Sequence, residues 1–205
     1  MATGQLASRI GAWDNGAEWP AETPTYAHHL RRAGYLTCLS GKMHFVGPDQ
    51  LHGFEQRLTS DIYPSDFLWS ADWEQTDFHG ATDERMLTDC GPCERSVQID
   101  YDDETTFEAA RWLYDYARSS EDRPFFLHVS YTHPHDPYLC LPRHWECYRH
   151  EDIPMPAVFS LPDDSHDAHS LALLRNHGLH GLDVSEEQVR KARHAYYGAI
   201  SYIDE

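Results

Sequence analysis

Pro124-Phe125-Phe126-Leu127-His128-Val129-Ser130-Tyr131, followed at once by Thr132-His133-Pro134-His135-Asp136, is the stretch on which the fold is read. A short, nearly continuous apolar run behind a proline suits a strand buried in a parallel sheet. A helix is predicted just before it. Asp102-Asp103-Glu104 place acids where the helix macrodipole favours them, and Phe107, Ala110, Trp112-Leu113 and Tyr116-Ala117 give an apolar stripe ending near Ser119. The same order occurs earlier in the chain. Thr23 as N-cap and Pro24 at the first helical position open a helix over about 24–33, which Gly34 closes. Tyr35-Leu36-Thr37-Cys38-Leu39-Ser40 is then a strand that stops at Gly41. Helix followed by buried strand, twice over, predicts an α/β fold with a doubly wound sheet and crossover helices. Ligands of such sheets bind beyond the carboxyl ends of the strands. Lys42 and His44 follow the first strand, and His133 and His135 the second.

From about Gly47 to Tyr101 the chain is rich in Asp, Trp, Tyr, Pro and Gly without sustained periodicity, and it is expected to be a long functional insertion. Residues 154–183 read as a Pro-, His- and Asp-rich loop with at most a short helix. Ser185-Glu186-Glu187-Gln188 is a capping box that opens a helix with apolar positions Val189, Ala192, Tyr196 and Ala199-Ile200. The chain stops at Ser201-Tyr202-Ile203-Asp204-Glu205 without a turn or breaker, so a cut is expected there.

At 205 residues the chain supports one well-buried domain or most of one. A formal charge of −18, from 16 Lys and Arg against 34 Asp and Glu, disfavours nucleic acid as a partner and attracts cations. No apolar run approaches the roughly 18 residues of a membrane span. The first residues show no basic region followed by an apolar stretch, which makes a cytoplasmic location the expectation. The 5 cysteines are expected to be reduced thiols.

Lys42 and His44 could hold an anionic ester, an ammonium as point charge and an imidazole as donor or proton carrier, although surface Lys-x-His pairs are common. His133-Pro134-His135-Asp136 has a chelating His-x-His spacing, but the binuclear His-x-His-x-Asp-His pattern does not fit. A histidine that binds or protonates an ester oxygen, or a solvated loop pair, are the other readings. Cys90-Gly91-Pro92-Cys93 matches a redox dithiol in letters, yet no helix pattern follows at once as that chemistry requires. It also nearly imitates Cys-x-Pro-x-Arg, with Glu94 in the arginine's place. No other Cys or Ser has Pro two and Arg four residues on. Trp69, Trp73, Phe67 and Tyr63 with Asp61, Asp66 and Asp72 offer the aromatic faces and carboxylates that a quaternary ammonium needs. Aromatics packing an irregular loop explain that cluster equally well.

Taken together, several segments resemble the sulfatases of the alkaline-phosphatase superfamily, and within them the choline-sulfatase branch. They are Thr3-Gly4-Gln5-Leu6-Ala7-Ser8-Arg9-Ile10-Gly11, Ser40-Gly41-Lys42-Met43-His44-Phe45 and its continuation Gly47 to Glu55, Asp61 to Phe67, Thr132 to Tyr138, and Ala195 to Tyr202. The resemblance implies an alkaline-phosphatase-like sheet incomplete at both ends. Residues 1–205 would form part of one sulfatase catalytic domain, with about 47–101 carrying the substrate pocket. It implies that Lys42 contacts the sulfate and the formylglycine nucleophile, that His44 orients the formylglycine hydroxyl, and that His135 binds the ester and assists the leaving oxygen. His133 is a less defined neighbour, and Trp69 lines a cation pocket. The cofactors implied are formylglycine and a divalent cation, Ca²⁺ or Mg²⁺, whose precursor residue and ligands are absent from these residues. The partner implied is a small sulfate ester, choline sulfate, and a homo-oligomer stays open. The chain by itself is expected to be inactive. A phosphodiesterase or phosphonate hydrolase of the same superfamily, and a non-catalytic fragment, are the alternatives.

Overall fold

The run from Leu36 to Gly41 is buried at every residue, because strands flank it on both edges and helices cover both its faces. The structure is a computed structural model that describes residues 1–62 and 85–205. Among them the elements are, in chain order, α1 (Ala7–Ile10), α2 (Tyr26–Arg32), β1 (Leu36–Gly41), β2 (Gln56–Arg57), α3 (Arg85–Thr88) and β3 (Gly91–Pro92). There follow α4 (Val97–Arg118), β4 (Phe125–Ser130), β5 (Leu139–Cys140), α5 (Pro142–Trp145), α6 (Ala168–Asn176) and α7 (Glu186–Asp204). The chain folds as two compact units, Met1–Phe67 with Val97–Thr132, and Leu68–Ser96 with His133–Glu205.

In the first unit β1 is the middle of a parallel sheet ordered β2-β1-β4, with Leu36 opposite Phe125 and Gly41 opposite Ser130. Side chains alternate across a strand, so neighbouring residues report on opposite faces. Leu39 packs with Ala27 of α2, Phe45 and Phe54, whereas the Ser40 hydroxyl donates to the Thr105 carbonyl of α4 at 2.8 Å. On β4, Phe126 meets Tyr26 of α2 (5.7 Å between rings), while Phe125 meets Trp112 (5.4 Å) and Tyr116 (4.9 Å) of α4. Helices therefore cover both faces, which is the doubly wound arrangement that the helix–strand order predicts.

Details differ from the sequence reading. The cap of α2 is Thr25, not Thr23: its hydroxyl accepts from the Ala27 amide at 3.2 Å, and His28 completes the box by accepting the Thr25 N–H at 3.1 Å. Helix α4 starts five residues before Asp102, and its buried side is Asp102, Thr105 and Ala109 with Ile99 and Tyr101. Phe107, expected on the apolar stripe, is 63% exposed. Strand β4 is less buried than its composition suggests, because it forms the edge of the sheet among the described residues.

In the second unit β3 and β5 pair in parallel, and α7 packs on both of them and on α5. The capping box holds, with Ser185 accepting the Gln188 amide. Small residues face inward along α7, namely Ala192, Ala195, Gly198 and Ala199, together with His194. Tyr196 and Ile200, expected to be buried, are exposed. His194 stacks on Trp145 at 3.5 Å and lies 2.9 Å from that residue's carbonyl, so a polar ring is satisfied inside this core. The stretch 154–183 holds one helix of ordinary definition, α6, capped by Asp167. No helix among the described residues is long and apolar enough to cross a membrane.

Candidate active site

The chain leaves β1 through Gly41, whose φ of +105° is open to a residue without a Cβ. The Lys42 amide then donates to the Ser130 carbonyl at 2.9 Å, so the lysine starts its loop anchored to the end of β4. His44 has φ +58°, a left-handed conformation that costs a residue with a side chain and marks functional loops often enough to merit attention. Its ring Nε2 lies 2.7 Å from the Asn15 carbonyl and must donate, since a carbonyl only accepts. The amides of Met43 and His44 both donate to one carboxylate oxygen of Asp61, at 3.2 and 2.8 Å. That carboxylate also pairs with Arg57 at 3.1 Å. Asp61, grouped by sequence with the aromatics expected to take a cation, is therefore engaged by the loop that carries Lys42 and His44. Only the β1–β2 pairing brings it there, and nothing local in the sequence announces it.

His133 and His135 belong to the second unit, and Lys42 and His44 to the first. His133 is 5% exposed and its ring meets Tyr202 edge-on at 5.0 Å. The His135 side chain is 45% exposed, and its Nδ1 donates to the Asp136 carbonyl at 2.8 Å with the Asp136 carboxylate 3.3 Å away. Trp69, Trp73, Phe67, Tyr63, Asp66 and Asp72 lie outside the described residues.

Two competing readings can be tested here. In Cys90-Gly91-Pro92-Cys93 the middle pair forms strand β3 and α4 begins only at Val97, so no helix N-terminus lowers a thiol pKa. Burial instead pushes both thiols up from their ordinary value, which opposes dithiol chemistry. For a divalent cation, the described residues gather no group of three or more His, Cys, Asp or Glu side chains. They do not fit such an ion, and the groups they do offer are a lysine ammonium and imidazoles.

An α/β sheet with lysine and histidine loops at its strand ends is the architecture of a hydrolase family for which comparison supplies the name. The sulfatase family model matches residues 1–205, and the chain belongs to that family, within the alkaline-phosphatase superfamily. More particularly, it is 48% identical over 211 residues to the choline-sulfatase of Rhizobium meliloti (strain 1021), covering 98% of this chain and 41% of that protein. It is 26% identical over 216 residues to an arylsulfatase of Clostridium perfringens (strain 13 / Type A), covering 96% of this chain and 43% of that one. The chain thus spans about two fifths of these curated relatives. Among solved structures, the phosphonate monoester hydrolase SpPMH from Silicibacter pomeroyi superposes with a TM-score of 0.56 at 19% identity, over 99% of this chain and 46% of that one. That likeness establishes the fold.

Proposed function

We propose that these residues form the ester-handling part of a sulfuric ester hydrolase that converts choline sulfate and water to choline and sulfate. The observation that carries the reading is the 48% identity to a choline-sulfatase over 98% of the chain. Lys42 and His44 support it by their place, directly beyond the carboxyl end of β1 in a doubly wound sheet.

In this reading the Lys42 ammonium meets sulfate oxygens as a point charge and stabilises the charge they gain during transfer. His44, held with its proton on Nε2, orients the attacking group. His135 gives a proton to the departing alcohol oxygen, and with Nδ1 committed to Asp136 that transfer runs from Nε2. His133, whose ring packs on Tyr202, is its neighbour in the loop. Trp69 presents an aromatic face to the quaternary ammonium. Within the 205 residues no Cys or Ser has Pro two and Arg four places on, so the formylglycine nucleophile of the family has no precursor here. The 205 residues by themselves are accordingly expected to turn over neither choline sulfate nor an aryl sulfate.

The test is a chimera in which these residues replace the matching segment of the Rhizobium choline-sulfatase. Hydrolysis of choline sulfate in preference to an aryl sulfate is the expected result. A folded chimera without sulfatase activity would refute the reading, and a preference for phosphonate or phosphate esters would move it to the phosphonate hydrolases of the superfamily.

A further inference from the structure

The carboxylate of Asp61 is the centre of a hydrogen-bond circuit that grips the Lys42–His44 loop from two sides. One oxygen accepts the Met43 and His44 amides and the Arg57 guanidinium, and the other accepts the Ile62 amide at 2.9 Å. Arg57 is fixed in turn. Its Nε donates to the Thr59 carbonyl at 2.9 Å, and its Nη1 donates to the backbone and side-chain oxygens of Gln50 at 3.1 and 2.7 Å. The side-chain amide of Gln50 then donates to the carbonyls of Phe45 (2.9 Å) and Gly47 (2.7 Å). The loop is thus held by its N–H groups at Met43 and His44 and by its C=O groups at Phe45 and Gly47.

The Asp61 and Arg57 side chains are 12% and 9% exposed. A buried ion pair contributes little net stability over an apolar pair of the same volume, so stability alone does not account for placing one here. A satisfied polar network does specify one conformation. The conformation it specifies includes His44 at φ +58°, which a side-chain-bearing residue keeps only where its surroundings over-determine it. We infer that Asp61 is the positioning residue of this loop, supported by Arg57 and Gln50, and that it sets where Lys42 and His44 meet the ester. It does not bind the substrate cation, although it borders the aromatic cluster in sequence. The inference rests on the proposed role of Lys42 and His44.

The experiment reads the loop and the chemistry separately. In the 205-residue chain, Asp61→Ala should speed amide hydrogen exchange at Met43 and His44 by about ten- to a hundredfold, the scale of losing a charge-assisted hydrogen bond. The Cys38 and Leu39 amides within β1 should keep their rates. In the chimera, the same change should lower kcat/KM for choline sulfate by about a hundredfold, mostly through kcat, as expected for groups displaced by about 1 Å. Asp61→Asn keeps one acceptor oxygen for the two amides and should recover most of both effects. Unchanged exchange at Met43 and His44 overturns the clamp, and faster exchange with parental kinetics in an active chimera overturns the positioning role. Faster exchange beside a chimera that hydrolyses no sulfate ester upholds the clamp and removes the proposed function instead. Should Asp61→Ala fail to fold, Gln50→Ala severs the carbonyl side and the Arg57 bond to the Gln50 side chain, and the same two amides decide the matter.

Discussion

Gly41→Ala isolates what the end of β1 tolerates. A Cβ built on Gly41 would lie 1.9 Å from the Ser130 carbonyl oxygen, 2.8 Å from its carbon and 3.0 Å from the Thr105 side chain. The first two atoms are backbone, and Ser130 is the register partner of Gly41 on β4, so neither can swing aside. The φ of +105° adds conformational strain, about 1–3 kcal/mol for a sparsely populated backbone region. Overpacking adds about 1–3 kcal/mol more. At roughly 2–4 °C per kcal/mol for a chain of this size, Tm should fall by about 5–20 °C. Gly34→Ala separates the two contributions, since Gly34 also has positive φ, +90°, but nothing within 4 Å of its Cβ position. Thermal unfolding followed by circular dichroism on both variants and the parent is the assay. A Gly41→Ala chain melting within about 2 °C of the parent, or no lower than Gly34→Ala, would refute the close-approach argument.

Lys42→Ala, His44→Ala and His135→Ala in the chimera should each lower kcat/KM for choline sulfate by about two to three orders of magnitude with little change in Tm, the scale of losing one preorganised donor. His133→Ala should be milder than His135→Ala, and the reverse order would show that the loop's register is misread. Trp69→Ala should raise KM for choline sulfate more than for an aryl sulfate, by a factor of a few to about thirty, as a cation–π contact of about 0.5–2 kcal/mol allows. Equal changes for both esters would take Trp69 out of the cation pocket. Burial holds the His28, His52 and His128 pKa values below the ordinary 6.5. Their neutral forms therefore stabilise the fold fully above that pH, and the contribution is lost as pH falls through the folded values. Tm should drop between pH 7.5 and 5.5, and His28→Gln, which preserves an acceptor for the capping box, should flatten that slope.

Strands β1 and β4 of the main sheet and the helices α2 and α7 were readable because each is a local pattern bounded by a local signal, such as Gly34, Gly41 or the Ser185–Gln188 box. Which face of a helix is buried was not readable in the same way. On α7 the alanines and Gly198 turn inward because the helix packs closely on β5, where a Cβ at Gly198 would stand 2.6 Å from the Cys140 sulfur. Larger Tyr196 and Ile200 then point outward, against their hydropathy. On α4 the buried Asp102 breaks the apolar rule because it has a specific partner, accepting the Thr132 amide at 2.6 Å. Lys42 and His44 stand out in the sequence by their place after a strand, but the Asp61–Arg57–Gln50 circuit joins residues through non-local pairing, and periodicity carries no trace of it.

One group of polar bonds in the first unit ties its sheet to the loops that follow its strands. At the carboxyl ends of its strands, the Gly41 amide donates to the Thr59 hydroxyl at 2.8 Å and the Lys42 amide to Ser130. Tyr101 donates to the Ser60 carbonyl at 2.8 Å, Thr132 to Asp102, and Met43 and His44 to Asp61. These bonds lace together the loops that follow β1, β2 and β4. The face of the sheet toward α2, by contrast, is filled with Ala27, Leu39, Phe54 and Phe126. Buried polar groups cost more than apolar ones unless each is satisfied, so a protein concentrates them where one arrangement of the backbone matters. Violations of simple core patterning gather at functional positions for this reason. The loops at the end of the sheet that bears Lys42 and His44 are thus held in one arrangement by hydrogen bonds. Ligands of parallel sheets lie beyond the strand carboxyl ends, which is where this laced backbone presents Lys42 and His44.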